Sequence, residues 1–198
     1  MKTATALALL LLATLASGQW LETTIQLPSG SRPSALCYNS VESKVYSANN
    51  GNSTVTIIDG ETNVEIVTRS VAWGPVALCY NSTNNKVYCA NSGAGSVTII
   101  DGHSNTVIGT ISVGSGAQVF CYNSTNNKVY CANGTAGTLS IIDGRTNAVT
   151  GPLSVGTGAQ SLCYNPHDNK VYCSSSTASR LTIVDGASDS VIRQLTLS

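Results

Sequence analysis

Seven cysteines are the residues of this chain whose type and spacing could do chemistry. Three pairs recur at one spacing, Cys79 with Cys89, Cys121 with Cys131 and Cys163 with Cys173, while Cys37 lacks a mate because Ser47 holds the corresponding place. In an oxidising compartment, two thiols that bracket a short hairpin can form a disulfide if their side chains share a face. A three-residue loop closed by Ser82 and Lys86 sets Cys79 directly opposite Cys89. Each such bridge closes a loop of about 11 residues and stabilises by roughly 2.5 to 3 kcal/mol. A register slip of one residue puts the thiols on opposite faces, and all seven cysteines are then small apolar packing residues. The opposed register, with Cys37 as a free thiol, is the expectation carried forward.

The other chemically capable residues do not assemble into a site. His103 and His167 fall in turns and have no repeated counterparts, and no spacing supplies converging metal ligands or a base beside a nucleophile. Asp59, Asp101, Asp143 and Asp185 each precede a glycine, where a side chain accepting its own turn's backbone N–H groups explains them. The eight tyrosines occupy two repeated positions, Tyr38, Tyr80, Tyr122 and Tyr164 and then Tyr46, Tyr88, Tyr130 and Tyr172. A residue serving one site has no reason to recur at every repeat, so these read as packing residues. No catalytic residue, metal or cofactor is expected.

What must position all of these is a strict internal repeat. Cys37, Cys79, Cys121 and Cys163 lie 42 residues apart, as do the four aspartates. One unit holds four short strand-like runs: A, Ala77 to Asn81; B, Lys86 to Asn91; C, Ser96 to Ile100; and D, Thr106 to Val113. Turn clusters rich in Ser, Asn and Gly join them. Four strands in about 40 residues, in tandem, is the dimension of a propeller blade. Strand C is apolar on both faces, as befits a sheet packed between two others. The expected fold is all-β, a propeller of four tandem four-stranded antiparallel blades, near 34–72, 76–114, 118–156 and 160–198.

Composition agrees with this. Charged residues are 10% of the chain, against roughly 25% in ordinary globular domains. Lys plus Arg and Asp plus Glu balance at 10 each, so no net field draws the chain to nucleic acid or an anionic membrane. Lys2, the apolar run Ala4 to Ala16 and the small residues Ser17 and Gly18 read as a secretory signal over 1–18. That run is too short to span a bilayer, leaving 19–198 as an exported domain with no membrane span. The expected location is secreted, periplasmic or cell-surface.

The segments Val45-Tyr46-Ser47-Ala48-Asn49, Val87-Tyr88-Cys89-Ala90-Asn91, Val129-Tyr130-Cys131-Ala132-Asn133 and Val171-Tyr172-Cys173-Ser174-Ser175, followed by runs such as SVTIIDG and ISVGSG, resemble the YVTN family of β-propeller repeats. The likeness covers nearly all of residues 21–198, although the family's linker proline survives only as Pro33 and Pro75. It implies a propeller fold and a surface-layer-like or periplasmic setting, with the propeller subunit of amine dehydrogenases among the fold's relatives. It fixes architecture better than activity.

Strand counting leaves one run over. Residues 21–29 look like a lone D strand ahead of the first blade, yet the last blade already has its own. Three readings stay open: a closed four-bladed ring with a spare strand, an open arc that pairs with a second copy, and the front portion of a longer propeller, the last being preferred. The leading function is a non-catalytic module that binds or scaffolds a protein, glycan or envelope component through its B–C and D–A connections, where Asn49, Trp73, Asn91, Asn133 and Arg180 are the candidate contacts. The rival is a lactonase-like or lyase-like propeller enzyme, or a redox-partner subunit, with its catalytic residues on further blades.

Overall fold

A computed structural model describes residues 23–196, and every regular element among them is a strand. Sixteen strands form four separate antiparallel sheets, each ordered as the chain runs. Blade 1 is β1 (Pro33–Asn39), β2 (Lys44–Asn49), β3 (Thr54–Asp59) and β4 (Glu65–Ser70). Blade 2 is β5 (Pro75–Asn81), β6 (Lys86–Asn91), β7 (Ser96–Asp101) and β8 (Val107–Ser112). Blade 3 is β9 (Ala117–Asn123), β10 (Lys128–Asn133), β11 (Thr138–Asp143) and β12 (Val149–Ser154). Blade 4 is β13 (Ala159–Asn165), β14 (Lys170–Ser175), β15 (Arg180–Asp185) and β16 (Ser190–Thr196).

The turn between the first two strands of a blade fixes its register. Asn81 Oδ1 accepts the backbone N–H groups of Thr83 at 2.9 Å and Asn84 at 3.2 Å, and Asn85 takes the left-handed conformation with φ 49°. Four residues therefore turn the chain, and Asn81 pairs with Lys86. Two steps in, Cys79 stands opposite Tyr88 and Leu78 opposite Cys89. The same pairing holds for Cys121 with Tyr130 and Cys163 with Tyr172. This corrects the hairpin disulfides expected for Cys79 and Cys89, Cys121 and Cys131, and Cys163 and Cys173. The partners of each pair point to opposite faces, and all seven cysteines are free.

Those opposite faces build the core. Between blades 1 and 2, Cys37, Tyr46, Val55 and Ile57 of one sheet pack on Leu78, Val87, Cys89 and Ile100 of the next. Two further clusters repeat this arrangement between blades 2 and 3 and between blades 3 and 4. Every internal blade is thus apolar on both sides, which is why strand C lacks a polar face. Ser47 holds the place of Cys89 and Cys131 on the outer face of blade 1, donating to Asn49 Oδ1 at 3.1 Å.

The innermost strands follow one another as β1, β5, β9 and β13, and the ring does not close. Blade 1 leaves Leu36 at 69% and Tyr38 at 55% exposure, and blade 4 leaves Cys163 exposed at the other end. The closed four-bladed reading is therefore set aside. Residues 23–28, within the run expected to be a lone D strand, are not a strand. A D strand pairs with a C strand, and β15 is already paired with β16. Leu21 and Glu22, like the signal segment 1–18, lie outside the described residues. No helix among the described residues is long and apolar enough to cross a membrane.

Candidate binding face

The connections divide between two rims. On one rim the B–C turns are hydrogen-bonded to the D–A linkers: Ser92 N donates to Gly74 O at 2.8 Å, Ala94 N to Trp73 O at 3.1 Å and Val113 N to Gly95 O at 3.0 Å. Blade 1 repeats the contact through Gly51 N to Ser31 O at 2.9 Å and Asn50 N to Arg32 O at 3.1 Å. Turn and linker hold each other, so residues at their tips are presented on a rigid support.

Three of the five expected contact residues are not presented at all. Asn49, Asn91 and Asn133 are fully buried. Asn49 Nδ2 donates to Thr54 Oγ1 at 3.0 Å and Thr56 Oγ1 at 2.9 Å, and Asn133 Nδ2 to Thr138 Oγ1 at 3.1 Å and Ser140 Oγ at 2.9 Å. The Asn91 amide meets Thr98 Oγ1 at 2.9 Å. Each asparagine ends strand B and ties it to the hydroxyls of strand C, so burial follows from its own blade's chemistry. The two remaining candidates differ: Trp73 is 71% exposed, and Arg180 is half-buried at the edge of blade 4.

Trp73 breaks the repeat. Its counterparts in the other linkers are Ser31, Ser115 and Thr157. The indole lies over Gly93, where an added Cβ would sit 2.5 Å from Trp73 Cε3, so this glycine is what lets the ring lie flat on the turn. Arg32 breaks the repeat as well. It holds φ 46°, where the other linkers place Gly74, Gly116 and Gly158 at φ 75°, 73° and 75°. A side chain in that region is strained by about 1 kcal/mol, and such outliers gather at working surfaces. Between the two residues, Asn50 receives its backbone partner from Arg32 and donates Nδ2 to Pro75 O at 3.1 Å. Arg32 and Asn50 are thus joined to each other and to the linker that carries Trp73, on the same rim of blades 1 and 2. Sequence reasoning pointed to the connections that hold Arg32 and Asn50 without singling out either residue as a contact, although the arginine in a glycine position was a readable signal.

The opposite rim carries the carboxylates and the histidines. Glu42 Oε1 lies 3.1 Å from His103 Nδ1 and Glu42 Oε2 3.7 Å from Lys44 Nζ, and the His103 hydrogen bond holds the Glu42 carboxyl below the usual range. His167 Nδ1 meets Asp168 Oδ1 at 2.9 Å with its ring almost fully in solvent. Backbone N–H groups of Thr62, Ser104, Thr146 and Ser188 hold Asp59, Asp101, Asp143 and Asp185 below the usual carboxylate value. Each aspartate is spent on its own turn. Among the described residues no three His, Cys, Asp or Glu side chains group as metal ligands would.

Similarity to solved structures supports the architecture. The chain overlays Kuenenia stuttgartiensis hydrazine synthase with TM-score 0.74 at 16% identity, covering 90% of this chain and 53% of that one. A chain of the mitotic checkpoint complex gives 0.70 at 14%, covering 81% and 50%. The dihydro-heme d1 dehydrogenase NirN gives 0.68 at 18%, covering 87% and 38%. The chain therefore spans about half the length of the first two and less of the third, and at these identities the likeness is one of fold. Among curated proteins, none matches the chain in sequence. The model of one family matches residues 17–198, and the chain belongs to that family, the YNCE-like β-propellers.

Proposed function

We propose that this chain is an exported, non-catalytic binding module that takes an uncharged polar ligand, a glycan before a protein, on the rim formed by its B–C turns and D–A linkers. The observation that carries the reading is Trp73, a 71%-exposed indole seated on a glycine turn in a fourfold repeat that elsewhere puts Ser or Thr in its place. A flat aromatic face suits the apolar face of a sugar ring, and the same rim carries the Asn50 amide and Arg32 guanidinium as donors to hydroxyls. Among the described residues the rim offers no paired carboxylates and no base beside a nucleophile, which favours binding over turnover. The signal-like residues 1–18 support export.

The test is a neutral and acidic glycan array probed with the mature chain and with Trp73→Ala. Retention of neutral glycans by the first and a loss of at least tenfold by the second supports the reading. Binding untouched by Trp73→Ala, or release of product from a bound sugar or lactone, overturns it.

A further inference from the structure

Strand C of each blade carries one hydroxyl residue at the same repeat position: Thr56, Thr98, Ser140 and Thr182. Strand D meets it with a polar partner in three of the four blades. Thr56 Oγ1 lies 2.8 Å from Thr68 Oγ1, Thr98 Oγ1 lies 3.2 Å from Thr110 Oγ1, and Gln194 Nε2 donates to Thr182 Oγ1 at 3.5 Å. Blade 3 has Pro152 at that position, with no polar side-chain atom to offer. A bulge also sets both Gly151 and Pro152 against Ser140, where blades 1 and 2 pair threonine with threonine. Ser140 is 3% exposed, and its hydroxyl keeps one hydrogen bond among the described residues, from Asn133 Nδ2 at 2.9 Å.

That hydroxyl lines a cleft of about 460 Å³ between blades 2 and 3. Ser140 and Thr138 come from strand C, Val149 and Pro152 from strand D, and Ser112 and Ser115 from the end of blade 2 and its linker. No lining residue is charged. The Ser112 and Ser115 side chains have no hydrogen-bond partner among the described residues. The linker is held in place, since Ala136 N of the blade 3 turn donates to Ser115 O at 3.0 Å. Blades 2 and 3 are internal, so the cleft is complete within the described residues.

We propose that this cleft is a second binding site, which takes one neutral hexose unit. A hydroxyl both donates and accepts, so a sugar hydroxyl can give Ser140 the partner that Thr68 and Thr110 give its counterparts. Ser112 and Ser115 offer two more groups of the same kind. A lining without charge has nothing to compensate an ionic ligand and suits an uncharged one. Val149 and Pro152 supply apolar surface for the C–H face of the ring. The volume lies within the roughly 300 to 1,000 Å³ of small-molecule pockets. The cleft lies one blade junction along the same rim from Trp73; its ligand class rests on the glycan reading, while its geometry stands apart from the tryptophan.

The experiment is a saturation-transfer NMR titration of the Trp73→Ala chain, in which the tryptophan contact is silent, with glucose, galactose and N-acetylglucosamine. Acetyl-triglycine amide serves as a neutral ligand that is not a sugar. The expected result is transfer to at least one sugar and none to the peptide. Adding Pro152→Thr, which restores the strand D hydroxyl, or Ser140→Ala, which removes the strand C one, should weaken the apparent Kd at least tenfold. Pro152 is exposed and threonine holds its place in blades 1 and 2, so the fold survives that change; circular dichroism checks both variants. No transfer to any of the three sugars, transfer to the peptide, or a Kd that Pro152→Thr leaves unchanged overturns the proposal. The glycan array reports on Trp73 separately: retention that depends on Trp73 without sugar transfer in this titration overturns the cleft alone, and the reverse overturns the tryptophan reading alone.

Discussion

Lys44 and Gly102 belong to different blades, and the Lys44 ammonium donates to the Gly102 carbonyl at 2.8 Å in a site where the lysine is buried. The first turn of one blade is thereby fastened to the third turn of the next, and Tyr46 Oη adds a longer contact of 3.4 Å to the same carbonyl. Apolar packing holds the blades together, and this lysine fixes how far one may slide along the other.

Replacing Lys44 with Met keeps the stem's packing and removes the donor. The carbonyls of Gly102 and His103 and the Asn105 side chain lose a shared charged partner. Loss of such a bond typically costs about 1–3 kcal/mol. A urea midpoint lowered to match, with no change in strand content by circular dichroism, is the expected result.

The aspartate turns predict the acid limb of stability. Backbone donors, chiefly the Thr146 N–H at 2.7 Å from Asp143 Oδ1, hold these carboxyls below their usual 3.8 when folded. A depressed folded value means that the contribution is complete above the unfolded value and is lost as pH falls through the folded one. The melting temperature should therefore hold from pH 7 to about 4 and decline below it. Asp143→Asn should be less stable at neutral pH and show a shallower decline, read by calorimetry across that range.

Asn133→Ala and Trp73→Ala should separate stability from binding. The asparagine is buried among the hydroxyls of its own blade. Its loss leaves them without a partner and costs about 1–3 kcal/mol, while glycan retention on the array stays as in the parent chain. The exposed tryptophan should show the reverse: unchanged urea midpoint, lost retention.

How far the sequence was legible follows from the range of each interaction. The sixteen strands could be placed because each carries its own apolar run and its own turn residues, and the 42-residue period lets every blade confirm the others. The hairpin register was not legible by inspection. Three-residue and four-residue loops differ only in whether Asn81 caps its turn and Asn85 goes left-handed, and that choice moved Cys79 away from Cys89. For Asn49, Asn91 and Asn133 the sequence held a signal that was passed over. Each is followed by hydroxyl residues five and seven places on, in every one of the first three blades. The rule that marked the tyrosines as packing residues applies equally to these asparagines. Trp73 and Arg32 are the converse, departures from the repeat that mark the surface.

The account's central claim is that each blade is sealed on opposite faces of the same hairpin, leaving a chain of closed interfaces with an open face at each end. Thiol accessibility reads this most directly. Burial pushes the Cys37, Cys89, Cys121 and Cys131 thiols up to about 12, and Cys173 to about 11, while Cys163 stands exposed on the end face. Alkylation of the dilute, unreduced native chain, followed by peptide mass spectrometry, should modify Cys163 alone, and unfolding in urea without reductant should release all seven. Six thiols that remain closed in unreduced urea, or a native chain that reacts at Cys37 and not at Cys163, would contradict it.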